Sequence, residues 1–208
     1  MTAILRPDAG AAVRRGPGRP RDDGLDDQII SATLDIIDAE EEVTVSRVVS
    51  RSGVSRAALY RRWPSLTTLI TDALDVGRTV PSPISSNGDL RQAILGMLLG
   101  DSSSVTEFGY SEERFRQRIR LVMADRELQK AYWHSHVARR RVPMEQALHA
   151  GIDSGILRRD LNVEACFDAI AGTVYYQLVV RGDRMTDDAS RTRIAAAFDL
   201  IWRGMLAV

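Results

Sequence analysis

Arg47, Arg51, Arg56, Arg61 and Arg62 crowd a short stretch that also holds Thr44, Ser55 and Tyr60. Forked guanidinium donors among hydroxyls and small side chains suit hydrogen bonding to phosphates and base edges. A second basic cluster, Arg14, Arg15, Arg19 and Arg21, precedes them. The 208-residue chain is nevertheless neutral, with 28 basic and 28 acidic residues, which by itself argues against a nucleic-acid partner. The charges are segregated, however: among its charged residues the segment 22–42, between the clusters, is almost purely acidic. Segregation outweighs the sum, because the field that attracts phosphate is local and screened within roughly 8–10 Å. Nearly every basic residue is Arg, with Lys130 the only lysine, and little function is read into that bias.

Other chemistries find no support. No Ser-His-Asp set stands at a recognisable motif, no glycine loop would cradle phosphate, and no Cys/His spacing suits a metal. No catalysis and no cofactor are expected. His134 and His136, two apart on a helix, point to different faces and read as ordinary helix residues. Cys166, the single cysteine, excludes an intramolecular disulfide framework and reads as a small core residue. Residues 1–24 hold no apolar signal-peptide core. The most apolar stretch, 163–180, carries Glu164, Asp168 and Gln177 and is too short and polar for a comfortable membrane span. A soluble cytoplasmic protein with no membrane partner is expected.

These residues need elements to position them. Residues 1–24, with Pro7, Pro17 and Pro20, read as a flexible basic arm. Apolar periodicity predicts a first helix over 25–41, a second starting at the N-cap Thr44, and a third from the N-cap Ser55 to Arg62. A fourth is expected to begin with Pro64 at its first position. Between the second and third, Gly53 supplies a left-handed turn, and Val49, Val54 and Leu59 fill the wedge. Ser55, Arg56, Ala57, Tyr60 and Arg61 then face outward, on a helix end suited to a major groove. The Pro/Ser/Gly-rich run 79–88 ends this unit, so the expected division is an arm over 1–24, a helix-turn-helix domain over 25–76 and a helical domain over 77–208. Beyond it, helices are expected over 90–99, 112–123, 127–154 with a kink at Pro143, 163–181 and 187–205. The fold class is therefore all-α.

Thr44, Ser52-Gly53-Val54-Ser55, Leu59-Tyr60, Trp63 and Pro64-Ser65-Leu66 with Leu69 resemble the TetR family of repressors in register. The resemblance, specific over about 25–75, implies that Thr44, Ser55 and Tyr60 contact phosphates and that Arg56, Ala57 and Arg61 lie nearest base edges. Arg47 and Arg62 join the expected DNA-binding set. Two positions depart from the family pattern: Leu66 replaces a lysine, and Glu40-Glu41-Glu42 replaces the usual glycine after the first helix. The arm's Gly18-Arg-Pro-Arg21 resembles the extension before the first helix in many relatives, and its Arg side chains would suit a narrow minor groove.

The stretch 163–180 lacks a polar face and must be covered on several sides. With the last helix it would form half of an intermolecular four-helix bundle, through Phe167, Ile170, Val174, Leu178, Ile194, Phe198, Ile201 and Met205. The resemblance implies the same homodimer, matched to a pseudo-palindromic operator in double-stranded DNA. It also implies a mostly apolar pocket for an unidentified small-molecule effector, with Met97, Phe108, Phe115, Met123, Trp133 and Tyr175 as candidate walls. The expected function is a ligand-released transcriptional repressor. The alternatives are a helical-bundle enzyme or carrier, or an activator or partner-controlled regulator with the same DNA-binding unit.

Overall fold

Ile29, Ala32, Ile36 and Ile37 recur at helical spacing, and burying that stripe sets the first element, α1 (Asp23–Asp38). The computed structural model describes residues 23–84, 88–99 and 111–207. Arg14, Arg15, Arg19, Arg21 and Phe108 fall outside them. α1 ends at Asp38, earlier than its apolar pattern suggests, and the chain turns through Glu40 at φ +58°. α2 (Val45–Ser52) and α3 (Arg56–Arg62) follow, joined at Gly53 with φ +69°. α4 is Leu66–Asp75. It starts two residues later than expected: Ser65 is the cap, accepting from the Thr68 N–H while Thr68 Oγ1 accepts from Ser65 N–H. That reciprocal box fixes the start and leaves Pro64 outside.

The rest is helical as well: α5 (Leu90–Leu99), α6 (Glu112–Ala124), α7 (Arg126–Tyr132), α8 (Ala138–Asp153), α9 (Val163–Tyr175) and α10 (Asp188–Met205). Two π-helical turns interrupt the periodicity, Trp133–Val137 between α7 and α8 and Tyr176–Val180 after α9. Pro143, where a kink is expected, lies inside α8, and the expected 127–154 helix is interrupted upstream by the π turn. A π turn adds a residue to the winding and re-aims the side chains within it.

Two apolar clusters hold the chain. The first gathers α1–α4 around Ile36, Leu59, Trp63 and Leu69, and it takes in Tyr132 from α7. Leu121 and Val122 of α6 and Val137 of the first π turn pack on it. The packing unit is therefore wider than the 25–76 segment read from the sequence. The second cluster joins α5, α8, α9 and α10 through Ile94, Met144, Ile170, Phe198 and Trp202. Gly151 sits at its tightest point, where an added Cβ would stand 2.7 Å from Leu90 Cδ2 and 2.8 Å from Leu157 Cδ1.

By length and composition alone, Val163–Val180 is apolar enough to cross a bilayer. In the fold it packs against α8 and α10, and its buried Gln177 accepts a hydrogen bond from Arg193 Nε at 2.7 Å.

Candidate nucleic-acid interface and ligand cavity

Thr44 and Ser55 are N-caps, their hydroxyls accepting from Arg47 N–H at 3.3 Å and Ala58 N–H at 3.2 Å. Those bonds anchor two short helices that have little intrinsic stability. Val48, Val54, Ala58 and Leu59 are buried in the wedge, with Val49 partly buried beside them. Gly53 has open space where a Cβ would stand, so its requirement is the left-handed turn and not crowding. The outer face of α3 then carries Ser55, Arg56, Ala57, Tyr60 and Arg61, all exposed. Arg56 Nη2 leans back to donate to Ser46 Oγ at 3.4 Å, which ties α3 to α2.

Two arginines of the expected set are otherwise engaged. Arg62 turns inward, its side chain 15% exposed, where Nε donates to Asp26 of α1 and Nη1 to the Ala58 carbonyl. It braces the three-helix unit and does not face outward with Arg61. Arg47 is drawn to the acidic turn, donating to the Glu42 carbonyl at 2.6 Å and lying 3.8 Å from the carboxylates of Glu41 and Glu42. Arg51 pairs with Glu41 at 3.1 Å. Any phosphate must compete with that acidic turn for both side chains. Leu66, in the position of the family's lysine, packs against the first cluster.

A third feature escaped the sequence reading. Trp63, the C-cap of α3, is buried and donates from Nε1 to Asp72 Oδ2 at 2.8 Å. The other oxygen of Asp72 lies 3.3 Å from Nε2 of His136, an ion-pair distance without hydrogen-bond alignment. His136 sits buried in the first π turn, and its Nδ1 lies 2.8 Å from Asp75 Oδ2. Asp75 also accepts from Arg139 at 2.6 Å and from Arg140, whose guanidinium reaches the Thr79 carbonyl at 3.1 Å. Burial pushes the Asp75 carboxyl up, but hydrogen bonds and charge from His136 and Arg140 outweigh it and hold it at about 2. The His136 imidazole 3.3 Å away likewise holds the Asp72 carboxyl below the usual carboxylate range against the cost of burial, and the hydrogen bond from Trp63 adds to this. For His136, burial disfavours the cation, yet the two carboxylates prevail and raise the imidazole above 6.5. His136 is thus the junction between α4 and the body, not an ordinary helix residue. A carboxylate pair on one face of α4, facing a histidine, was the signal available in the sequence.

The same π turn walls two adjoining cavities of about 160 and 400 Å³. Arg118, Val137, Arg141, Phe167, Ala171 and Tyr175 line both, forming the waist between them. Of the expected walls, Met97 lies on the smaller cavity, Met123 and Trp133 on the larger, and Tyr175 on both. Met123 is mostly exposed, at the rim. Phe115 lies behind, its ring 6.3 Å from that of Tyr175 and 4.9 Å from the Arg118 guanidinium.

The expected dimer residues divide. Ile170, Phe198 and Met205 are buried in the second cluster of a single protomer, Ile194 is fully buried as well, and none has surface to offer. Phe167, Val174, Leu178 and Ile201 are only partly covered. The apolar stripe of α10 faces its own core, because α5 and α9 already cover it. The outward face instead carries Ala169, Gly172 and Tyr176 with Ala196, Leu200 and Gly204, and Leu200 is 73% exposed.

Similarity to known proteins agrees with this architecture. Residues 85–197 match the family model described as the tetracyclin repressor-like C-terminal domain. YdeS of Bacillus subtilis (strain 168), an uncharacterized HTH-type transcriptional regulator, is 29% identical over 185 residues, spanning 87% of this chain and 91% of its own. The TetR family transcription regulator SCO0332 superposes with a TM-score of 0.58 at 24% identity, covering 87% of this chain and 98% of its own. A TetR transcriptional regulator from Agrobacterium tumefaciens gives 0.65 at 17% identity, covering 88% and 95%. These two structures share the fold. A family match over more than half the chain thus meets an N-terminal helix-turn-helix with an exposed third helix. The chain is a DNA-binding transcriptional regulator and belongs to the TetR family.

Proposed function

We propose that the chain is a homodimeric cytoplasmic repressor that leaves a pseudo-palindromic operator when a small, mostly apolar ligand enters the cavities beside α7 and α8. One observation carries the reading: a polar relay links α3 to the cavity wall, Trp63 to Asp72 and Asp72 to His136 in the π turn. A ligand that prefers a different setting of Val137 and Trp133 would move His136, and α4 and α3 would follow. A hundredfold loss of operator affinity needs only about 2.7 kcal/mol of such coupling.

On DNA, Thr44, Ser55 and Tyr60 would hold phosphates, while Arg56, Ala57 and Arg61 meet base edges. Arg47 would reach phosphate only by leaving the acidic turn. The basic arm read over 1–24, of which Asp23 and Gly24 belong to α1, would lie in the minor groove. Two protomers would join through the outward face of α9 and α10, where small residues allow close approach around Leu200.

The test is fluorescence anisotropy with the DNA upstream of the chain's own coding sequence and with fragments selected from its genome. Specific binding is expected, and Arg56→Ala should weaken it by about 1–3 kcal/mol. Deleting residues 1–21 should lower the slope of log affinity against log salt, because each lost phosphate contact releases fewer counterions. Failure of every fragment to bind would overturn the reading. An unchanged slope would remove the arm from it. Transcription from the bound promoter separates a repressor from an activator.

A further inference from the structure

Arg118 is the most deeply buried charged side chain of the described residues, 2% exposed, and it stands at the waist shared by the two cavities. Its guanidinium lies 4.9 Å from the centre of the Phe115 ring and 5.8 Å from that of Tyr132. Nη1 approaches Tyr132 Oη at 3.5 Å, and the side chain has further partners. Arg141 faces it across the same waist, stacked 4.3 Å from the centre of Phe167 and 5.2 Å from that of Trp133. All three nitrogens of Arg141 already meet acceptors: Glu145 at 2.8 Å, Asp168 at 2.7 Å and the Glu164 carbonyl at 3.4 Å. Arg141 is thus held in place as a wall of the waist, and Arg118, more deeply buried and with partners of its own, is the second cation there.

The polar character of the lining is one-sided. Arg78, Arg118, Arg140 and Arg141 line the cavities, whereas Asp168 is the single carboxylate among the described lining residues. A molecule seated at the waist meets guanidinium donors and the aromatic side chains of Phe167 and Tyr175. Its polar end must accept hydrogen bonds, and the low-dielectric surroundings favour an acceptor that carries negative charge. A guanidinium has five N–H donors in a planar fork, so a carboxylate or sulfonate can share it with existing partners.

We infer that the effector is an organic anion with an aromatic or bulky apolar body, its acidic group held by Arg118 and its body between Phe167 and Tyr175. This deepens the cavity reading above and rests on it.

Two fluorescent probes with one skeleton test the inference on the intact chain. 1-Anilinonaphthalene-8-sulfonate carries the acid, and N-phenyl-1-naphthylamine is the same molecule without it. The sulfonate is expected to bind at least about tenfold more tightly, the advantage of a charge-assisted pair over none. Arg118→Met should remove that preference while leaving the neutral probe within about twofold, and Arg118→Lys should retain part of it. Ala171→Trp, which fills the waist, should exclude both.

Equal affinity of the two probes for the unaltered chain, with Ala171→Trp excluding both, would overturn the anionic class and leave the cavity standing. Equal weakening of both by Arg118→Met would make Arg118 a structural brace and also overturn it. Binding of neither probe, or binding unaffected by Ala171→Trp, would overturn the cavity reading itself. The comparison on the unaltered chain and Arg118→Lys decide the matter if Arg118→Met does not fold.

Discussion

Glu40 occupies backbone space that L-residues avoid, at φ +58°, where the chain reverses between α1 and α2. The left-handed conformation crowds its Cβ against the following carbonyl, a cost of about 1–2 kcal/mol that glycine does not meet. The Glu40 side chain offsets it by accepting from Gln117 Nε2 of α6 at 2.7 Å. That bond joins the buried Gln117 to a charged carboxylate and is worth about 1.5–3 kcal/mol. Glu40→Gly should therefore lower stability by about 0.5–1 kcal/mol in urea denaturation, because the lost bond outweighs the relieved turn. A gain in stability would show that the turn, not the Gln117 contact, decides the loop. The neighbouring Glu41 and Glu42 act differently, since they draw Arg47 and Arg51 toward α1. The exposure of Tyr60 and Arg61 followed from helical spacing, whereas the inward turn of Arg62 did not. Its partner Asp26 lies far off in sequence, and only the packing of α3 on α1 brings the two together.

At the scale of elements, the junction of α4 with the π turn carries the pH dependence. His136 faces Asp72 and Asp75 from α4, Arg139 and Arg140 from α8, and the Tyr132 ring from α7. Its folded titration point is raised above 6.5, so its contribution is complete below that value. The contribution is lost as pH rises through the raised value. Asp75, lowered from 3.8 to about 2, contributes above 3.8 and loses that contribution as pH falls toward 2. The junction should therefore hold best between about pH 4 and pH 6.5. Urea midpoints at pH 5.5 and 8.5 should show the unaltered chain losing stability at the higher pH, and His136→Gln should lose less over the same interval. Parallel behaviour of the two proteins would exclude His136 as the titrating group. Helix positions were legible because apolar periodicity and caps are local. The π turns were not, because nothing in that periodicity marks an inserted residue.

For the whole molecule, the outward face of α9 and α10 is where two protomers would meet. Leu200 is the most exposed large apolar side chain there, and Ala169, Gly172, Ala196 and Gly204 flatten the surface around it. At a twofold interface, Leu200→Glu introduces two carboxylates into the same contact. Sedimentation should then show a monomer, and operator affinity should fall by about a hundredfold or more as two linked reading heads become one. A variant that remains dimeric would place the interface elsewhere.

The amino-acid sequence alone determined the all-α class, the caps at Thr44 and Ser55, the left-handed turn at Gly53 and the outer face of α3. Each depends on residues within a few positions of one another, where backbone geometry fixes what faces what. Tertiary structure decided which apolar stripe is core and which is surface: Phe198 packs with α5 and α9 residues within one protomer and Ile194 is fully buried, leaving Leu200 outside. It also decided that His136 joins Asp72 and Asp75, and that Arg118 stands at the waist of a cavity. Those relations join residues on separate helices, and helical spacing carries no information about which neighbour a face will find.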